Sequence, residues 1–176
     1  MLRALRPAIG VSVIFLVLLG LAYPLAETGI GQAFFSHQAN GSLTTNGSTL
    51  AGQAWTGPRW FQGRPDGDNP MATGGTNLGP RSEVLVQDVR KQIAQLRQEG
   101  ITPTPDLVTT SGSGVDPDIS PADAYAQVSA VARARGLPAA AVRRLVAEHV
   151  VPPQFGFLGS AHVNVLQLNE ALAGMR

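Results

Sequence analysis

The sequence predicts an α+β (mixed α/β) soluble domain with a short sheet, preceded by one N-terminal transmembrane helix. Three observations carry this. Between Ala8 and Leu25 there is no charge, and eleven residues are Val, Ile, Leu or Phe. A polar region of 150 residues follows, Glu27 to Arg176. Within it, stretches of helical apolar spacing alternate with glycine-rich turns and short extended runs.

The apolar stretch comes first. Twenty residues at helical rise span about 30 Å, the thickness of a bilayer's hydrocarbon core. The span is read as residues 7–26, and Pro7, Ala8, Val11, Phe15, Leu19, Tyr23 and Ala26 mark its course. A cleaved signal peptide is the alternative, since Arg3 and Arg6 supply a basic start. Its cleavage site is poor: Ala26 would have Pro24 in the third-last place, and no A-x-A occurs nearby. Pro24 removes a helix hydrogen bond, so the helix is expected to bend or stop there. Arg3 and Arg6 precede the span, and the twenty residues after Ala26 contain no Lys or Arg. The positive-inside rule then keeps residues 1–6 in the cytoplasm and places residues 27–176 outside the cell membrane. Gly10, Ser12 and Gly20 suit close packing against partner helices, but they form no G-x-x-x-G pair for self-association.

Composition narrows the function classes. The chain has no Cys, which excludes a disulfide scaffold and Cys-ligated metal sites. Eleven basic and twelve acidic residues follow the apolar stretch. That near-neutral balance argues against a nucleic-acid partner, which would favour a basic face. One domain with a real core fits in this length, and two ordinary domains do not.

Thr28 to Gln38 stays weakly apolar and is expected to extend the anchor helix. Ala39 to Gly79 reads as short strands and turns around Trp55 and Trp60–Phe61. Ser82 to Gln98 reads as a helix capped by Ser82, with Leu85, Val89, Ile93 and Leu96 on one face and Gly100 as a stop. A second helix starts after Ser120, with Pro121 at its first position and Asp123 in its first turn, and ends near Arg135 before Gly136. Pro138 to His149 makes a third, with Val142, Leu145, Val146 and His149 on one side. Phe155 to Val165 holds a glycine turn and the extended pair Val163 and Val165. Leu166 to Ala173 closes the chain as a helix.

Four phrases, taken together, resemble one family. They are YPLAETGIGQAFF followed by QANGSL (Tyr23–Leu43), GRPDGDNPMATGGTNLGP (Gly63–Pro80), PDLVTTSGSGVDPDISPADA running on to VARARGL (Pro105–Leu137), and FGFLGSAHVNVLQLNEAL (Phe155–Leu172). Their order and spacing cover nearly the whole chain, which resembles the C subunit of the Kdp-type potassium-transporting ATPase. Two places depart from the family's pattern: Asn46 to Ala54 is compact, and Arg81-Ser82 replaces the usual Asn-Pro.

The resemblance implies a non-catalytic subunit of a high-affinity, ATP-driven potassium uptake complex. Such a subunit is needed for assembly of the complex and for coupling ATP hydrolysis to import. Its implied partners are a channel-like A subunit, a P-type ATPase B subunit, a small F subunit and the lipid bilayer. No cofactor is expected on this chain, and ATP would be used by the partner. The alternative the resemblance allows is a chaperone-like subunit that raises the ATPase subunit's affinity for ATP through nucleotide contact. Ala72 to Asn77 tempts that reading, because glycines let backbone amides close on phosphate. No Gly-Lys-Ser/Thr follows, however, and the one lysine, Lys91, lies in a predicted helix. Partner contact is expected at Asn40, Gly41, Ser42, Arg64, Pro65, Gly74, Gly75 and Asn77. Arg64 and the neighbouring aromatics are of the types that dominate interface hot spots. Trp60 and Phe61 read equally well as core.

No catalytic or metal residue is assigned. Asp116, Asp118, Ser120 and Asp123 imitate a calcium loop, but Pro121 stands at the required Gly and Gln127 at the terminal Glu. Turn formation and helix capping explain them better. His37, His149 and His162 are too scattered for a metal triad, and His149 is expected to be packed or hydrogen-bonded. Gly112-Ser113-Gly114 lacks the G-x-S-x-G pattern of a nucleophile elbow, which weighs against a secreted hydrolase.

Overall fold

The computed structural model describes residues 2–66 and 73–175. The chain divides into two compact units, Met1–Ser42 and Leu43–Arg176. The first is helical: α1 (Leu2–Val17), a π turn (Leu18–Ala22), α2 (Tyr23–Phe34) and α3 (Ser36–Ala39). Leu5–Phe34 is one helical run long and apolar enough to cross a membrane, and its apolar side chains are exposed. The helix does not stop at Pro24 but runs on through α2. The π turn just before it widens the hydrogen-bond ladder, with the Tyr23 N–H donating to Leu18 O five residues back. Such single-turn π segments absorb local misfits within a helix. The helix also continues past residue 26, as the weak apolarity of Thr28 to Gln38 predicts. Asn40 closes this unit by donating through Nδ2 to Ser36 O at 2.6 Å and to Gln32 Oε1 at 3.1 Å.

The second unit contains α4 (Glu83–Gln98), α5 (Pro105–Val108), β1 (Asp118–Ile119), α6 (Pro121–Arg135), α7 (Ala139–Glu148), β2 (Val163–Asn164) and α8 (Val165–Ala173). The two strands pair antiparallel, Asp118 opposite Asn164 and Ile119 opposite Val163. The mixed helix-and-short-sheet class therefore stands. Three local expectations change. Among the described residues of 39–79 there is no strand, only an isolated bridge between Leu43 and Ser48. Val165 begins α8 instead of ending the strand, because the Asn164 side chain caps the helix by accepting from Gln167 N. Ser82 sits at the start of α4 without a side-chain capping bond.

Helix α6 is the centre of the unit. Ser120 and Asp123 form a full capping box, Pro121 takes the first helical position, and Gly136 ends the helix at φ 70°. A left-handed residue here satisfies the last carbonyls, and only Gly adopts it without strain. Buried residues lie all round α6, as a central helix requires. One face joins Phe61, Ile119, Val142, Val146, Val163, Leu168 and Leu172 in the main core. Ala130 faces a smaller cluster with Leu96, Ile101 and Leu107. On α4 the predicted face is the right one, yet only Leu96 is fully buried; Leu85, Val89 and Ile93 are half-buried.

Phe61 and Gln62 run as an extended strip with no strand partner, and two buried amides take that role. The Asn169 side chain accepts from Phe61 N and donates to Phe61 O, both at 2.9 Å. The Gln127 side chain accepts from Gln62 N at 2.7 Å and donates to Gln62 O at 3.0 Å. Both amides are 0% exposed. The strip is thus gripped from α6 and α8 at successive residues. Replacing Asn169 by Leu leaves two buried backbone groups unsatisfied. The expected loss is about 2–6 kcal/mol at roughly 1–3 kcal/mol per group, read as an earlier urea midpoint for the full chain in detergent.

Candidate functional site

The most structured polar region of the second unit is where two of the glycine-rich phrases meet. Arg64 and Asp66 flank a bend at Pro65 and reach into the 105–116 loop. Arg64 donates to Asp106 Oδ1 at 3.3 Å, Thr109 Oγ1 at 3.4 Å and Thr110 O at 3.2 Å, and lies 3.9 Å from Asp116 Oδ2. Asp66 accepts from Ser111 N and Ser111 Oγ, each at 2.6 Å, and from Asp116 N at 2.8 Å. Backbone completes the junction: Gly74 N donates to Ser113 O at 2.6 Å. A side chain at Gly114, whose φ is 70°, would place its Cβ 2.6 Å from Gly74 O. The close approach of two loops therefore sets the glycine there.

Beside this junction opens a cleft of about 660 Å³. Arg64, Asp106, Asp116, Asp118 and Ser120 form its polar wall, with His162 near Asp118 at 3.9 Å. Val151, Pro152 and Leu158 supply an apolar rim. Burial raises the Asp106 carboxyl above its ordinary value, and the Asp123 carboxyl beside it adds to the shift by hydrogen bonding and by charge. The Arg64 guanidinium pulls the other way without cancelling this. No group of three or more His, Asp or Glu among the described residues is disposed to hold a metal ion. Asp116 Oδ1 instead accepts from Asp118 N in a local turn, and Asp123 belongs to the α6 cap. This is the turn-and-capping role the sequence suggested.

The partner-contact candidates separate into two groups. Asn40, Gly41 and Ser42 belong to the helical unit, with Gly41 and Ser42 both at positive φ. Arg64, Gly74 and Gly75 belong to the loop junction. Pro65 and Asn77 lie close by, with Pro65 lining a second cavity of about 220 Å³ against Leu85 and Val89 of α4. Residues 67–72, including Ala72 of the glycine loop, lie outside the described residues. Trp60 and Phe61 part company. Phe61 is core, whereas Trp60 is half-buried, 5.0 Å from the Trp55 ring and 4.9 Å beneath the Arg135 guanidinium. His149 donates through Nδ1–H to Leu145 O at 2.8 Å, a packed and bonded residue as read. Sequence reasoning missed Asp66, Gln127 and Asn169. Nothing in the local pattern around Asp66 signals its role, because the chain bends at Pro65 and its partners lie about fifty residues away.

Fold and junction together define a small α+β domain, stitched from glycine-rich loops, in a chain that also carries one membrane-length apolar helix. A family model described as "KdpC: K+-transporting ATPase, c chain" matches residues 5–174. The chain is 50% identical to the potassium-transporting ATPase KdpC subunit of Sorangium cellulosum over the whole of both chains. It is 48% identical to the KdpC subunit of Caulobacter vibrioides, covering 98% of this chain and 93% of that one. It is 46% identical to the subunit of Geobacter sulfurreducens, covering 97% of each. The chain belongs to the KdpC family.

Two outcomes test the junction. Asp66→Ala removes one carboxylate from three hydrogen bonds and should cost about 2–4 kcal/mol, measured by urea unfolding. The second concerns pH. Asp106 holds its proton more tightly folded than unfolded. Its stabilising contribution is therefore full below the unfolded pKa, about 3.9, and is lost as pH rises through the raised folded value. The stability of the native chain relative to Asp106→Asn should thus be greatest in acid and fall on the way to neutrality. A difference independent of pH would contradict it.

Proposed function

We propose that this chain is the non-catalytic, single-pass subunit of a high-affinity ATP-driven potassium uptake complex. It holds the complex together and couples ATP hydrolysis to potassium import. Its partners are a channel-like A subunit, a P-type ATPase B subunit and a small F subunit. The family match along residues 5–174 carries this reading. The apolar run Leu5–Phe34 supports a membrane anchor. Arg3 and Arg6 on one side, and no Lys or Arg before Arg59 on the other, support a cytoplasmic N-terminus and an extracytoplasmic domain.

In this reading the chain carries out no chemistry and holds no cofactor, and ATP is used by the partner. The glycine loop serves the architecture: the Gly74 amide, which a phosphate would need, is already committed to Ser113 O. Coupling then passes through contacts with the transport subunits, with the anchor packed against their helices.

The chain has no native Cys, so one engineered thiol reports its side of the membrane cleanly. Thr56→Cys, at an exposed position, should react with a membrane-impermeant maleimide in intact cells. Labelling only in inverted vesicles would reverse the topology and favour nucleotide contact from the cytoplasm. Deleting residues 43–176 should abolish recovery of a potassium-dependent ATPase with the tagged partners. An active complex assembled without them would overturn the assembly role.

A further inference from the structure

The segment between α7 and β2 stands outside the loop junction and forms the opposite edge of the cleft through Val151, Pro152, Gln154 and residues 158–161. Residues 150–161 contain no Asp, Glu, Lys or Arg. They fold back on themselves in two steps. Val151 and His162 exchange backbone hydrogen bonds at 2.9 and 3.0 Å, and Gln154 and Leu158 exchange a pair at 2.9 Å. The tip is held tightly enough to keep Phe155 at φ 53° and Gly156 at φ 83°. A bulky residue at positive φ is strained, and such strain persists only where the surroundings impose it. The result is a rigid finger whose tip carries Phe155 at 79% and Phe157 at 75% exposure, with Leu158 behind them.

We propose that this finger is a second membrane contact, inserting Phe155 and Phe157 into the interfacial layer of the bilayer that the chain's own helix crosses. Three features favour lipid over a protein partner. First, the patch is small. Aromatic side chains bury roughly 150–250 Å² each, so the tip by itself supplies less than the roughly 800 Å² that each partner contributes to a stable protein interface, a second copy of the chain included. A wedge entering lipid has no such minimum, because it is surrounded on all sides as it inserts. Second, the charge-free run suits a layer where each ion would lose hydration. Third, the finger and the membrane-length helix belong to one chain, with only residues 35–42 between the end of α2 and the start of the second unit. Tethering converts a weak contact into an intramolecular one, with an effective concentration in the millimolar range. The proposal holds on either side of the membrane and does not depend on assembly with the transport subunits.

The test uses the full chain reconstituted alone in phosphatidylethanolamine–phosphatidylglycerol vesicles. An environment-sensitive fluorophore is attached at Gln154→Cys, leaving both phenylalanines in place. Insertion 5–10 Å deep should blue-shift its emission and allow lipids brominated near the head of the acyl chain to quench it by about two-fold or more. The same label at Ala147→Cys, on the exposed face of α7, should show neither effect. Phe155→Asn together with Phe157→Ser should abolish the response at Gln154→Cys. Asn accepts positive φ more readily than Phe, so the melting temperature should stay level or rise. Equal quenching at both label positions, or quenching that survives the double substitution, would overturn the proposal. So would a response that appears only when the transport subunits are co-reconstituted, because the finger would then be a protein contact.

Discussion

The second unit depends on one arrangement above all: two buried side-chain amides that stand in for missing strands. Phe61 and Gln62 cross the core as extended backbone, and buried backbone polar groups must be paired. A third strand beside β1 and β2 would have done this, but there is none among the described residues. Asn169 on α8 and Gln127 on α6 each present a donor and an acceptor with the spacing of a peptide group. They satisfy four backbone atoms in succession. This lets Phe61 enter the main core from a segment otherwise lacking regular structure. It also fixes α6 and α8 against the same strip.

The strip leads directly into the loop junction. Arg64 and Asp66 follow Phe61 and Gln62 in the chain, so the grip of the amides sets where their charged groups begin. Both then span to the 105–116 loop, which itself leads into β1 and the capping box of α6. The backbone from Phe61 to Asp66 thus joins the amide grip in the core to the hydrogen bonds at the acidic wall of the cleft. The glycine-rich phrases of a KdpC chain are, in this structure, the mating surfaces of two loops. Their glycines are spent on close approach, as between Gly74 and Gly114.

The helices were legible in advance to within a residue or so, wherever start and stop chemistry was local. Ser120, Pro121, Asp123 and Gly136 specify α6 almost unaided. Asn164 was not recognised as a cap, so Val165 was assigned to the strand instead of the helix. The segment 39–79 was misread for a different reason. Its apolar residues lie partly in turns and bends, as at Leu50 and Trp60, and whether the stretches between form a ladder depends on what lies beside them. Here the neighbours are side chains more than sixty residues away. The cleft was legible only as separate carboxylates with local roles. That Arg64 and Asp66 are the residues joining the loops could not be read from their types, because an Arg and an Asp in a glycine-rich loop are ordinarily solvated.

By itself the sequence determined what depends on neighbours along the chain: an apolar helix of membrane length, the cap and stop of α6, the apolar faces and the family's ordered phrases. Tertiary structure alone decided which polar groups are buried and with whom. Gln127 and Asn169 on the page are two unremarkable amides, and Phe155 and Phe157 two ordinary aromatics. Folding inverts the usual expectation by burying the first pair and exposing the second. The physical reason is that burial is a property of packing between distant segments. An amide goes inside where a backbone needs its hydrogen bonds, and an aromatic stays outside where a tight, strained turn holds it away from the core.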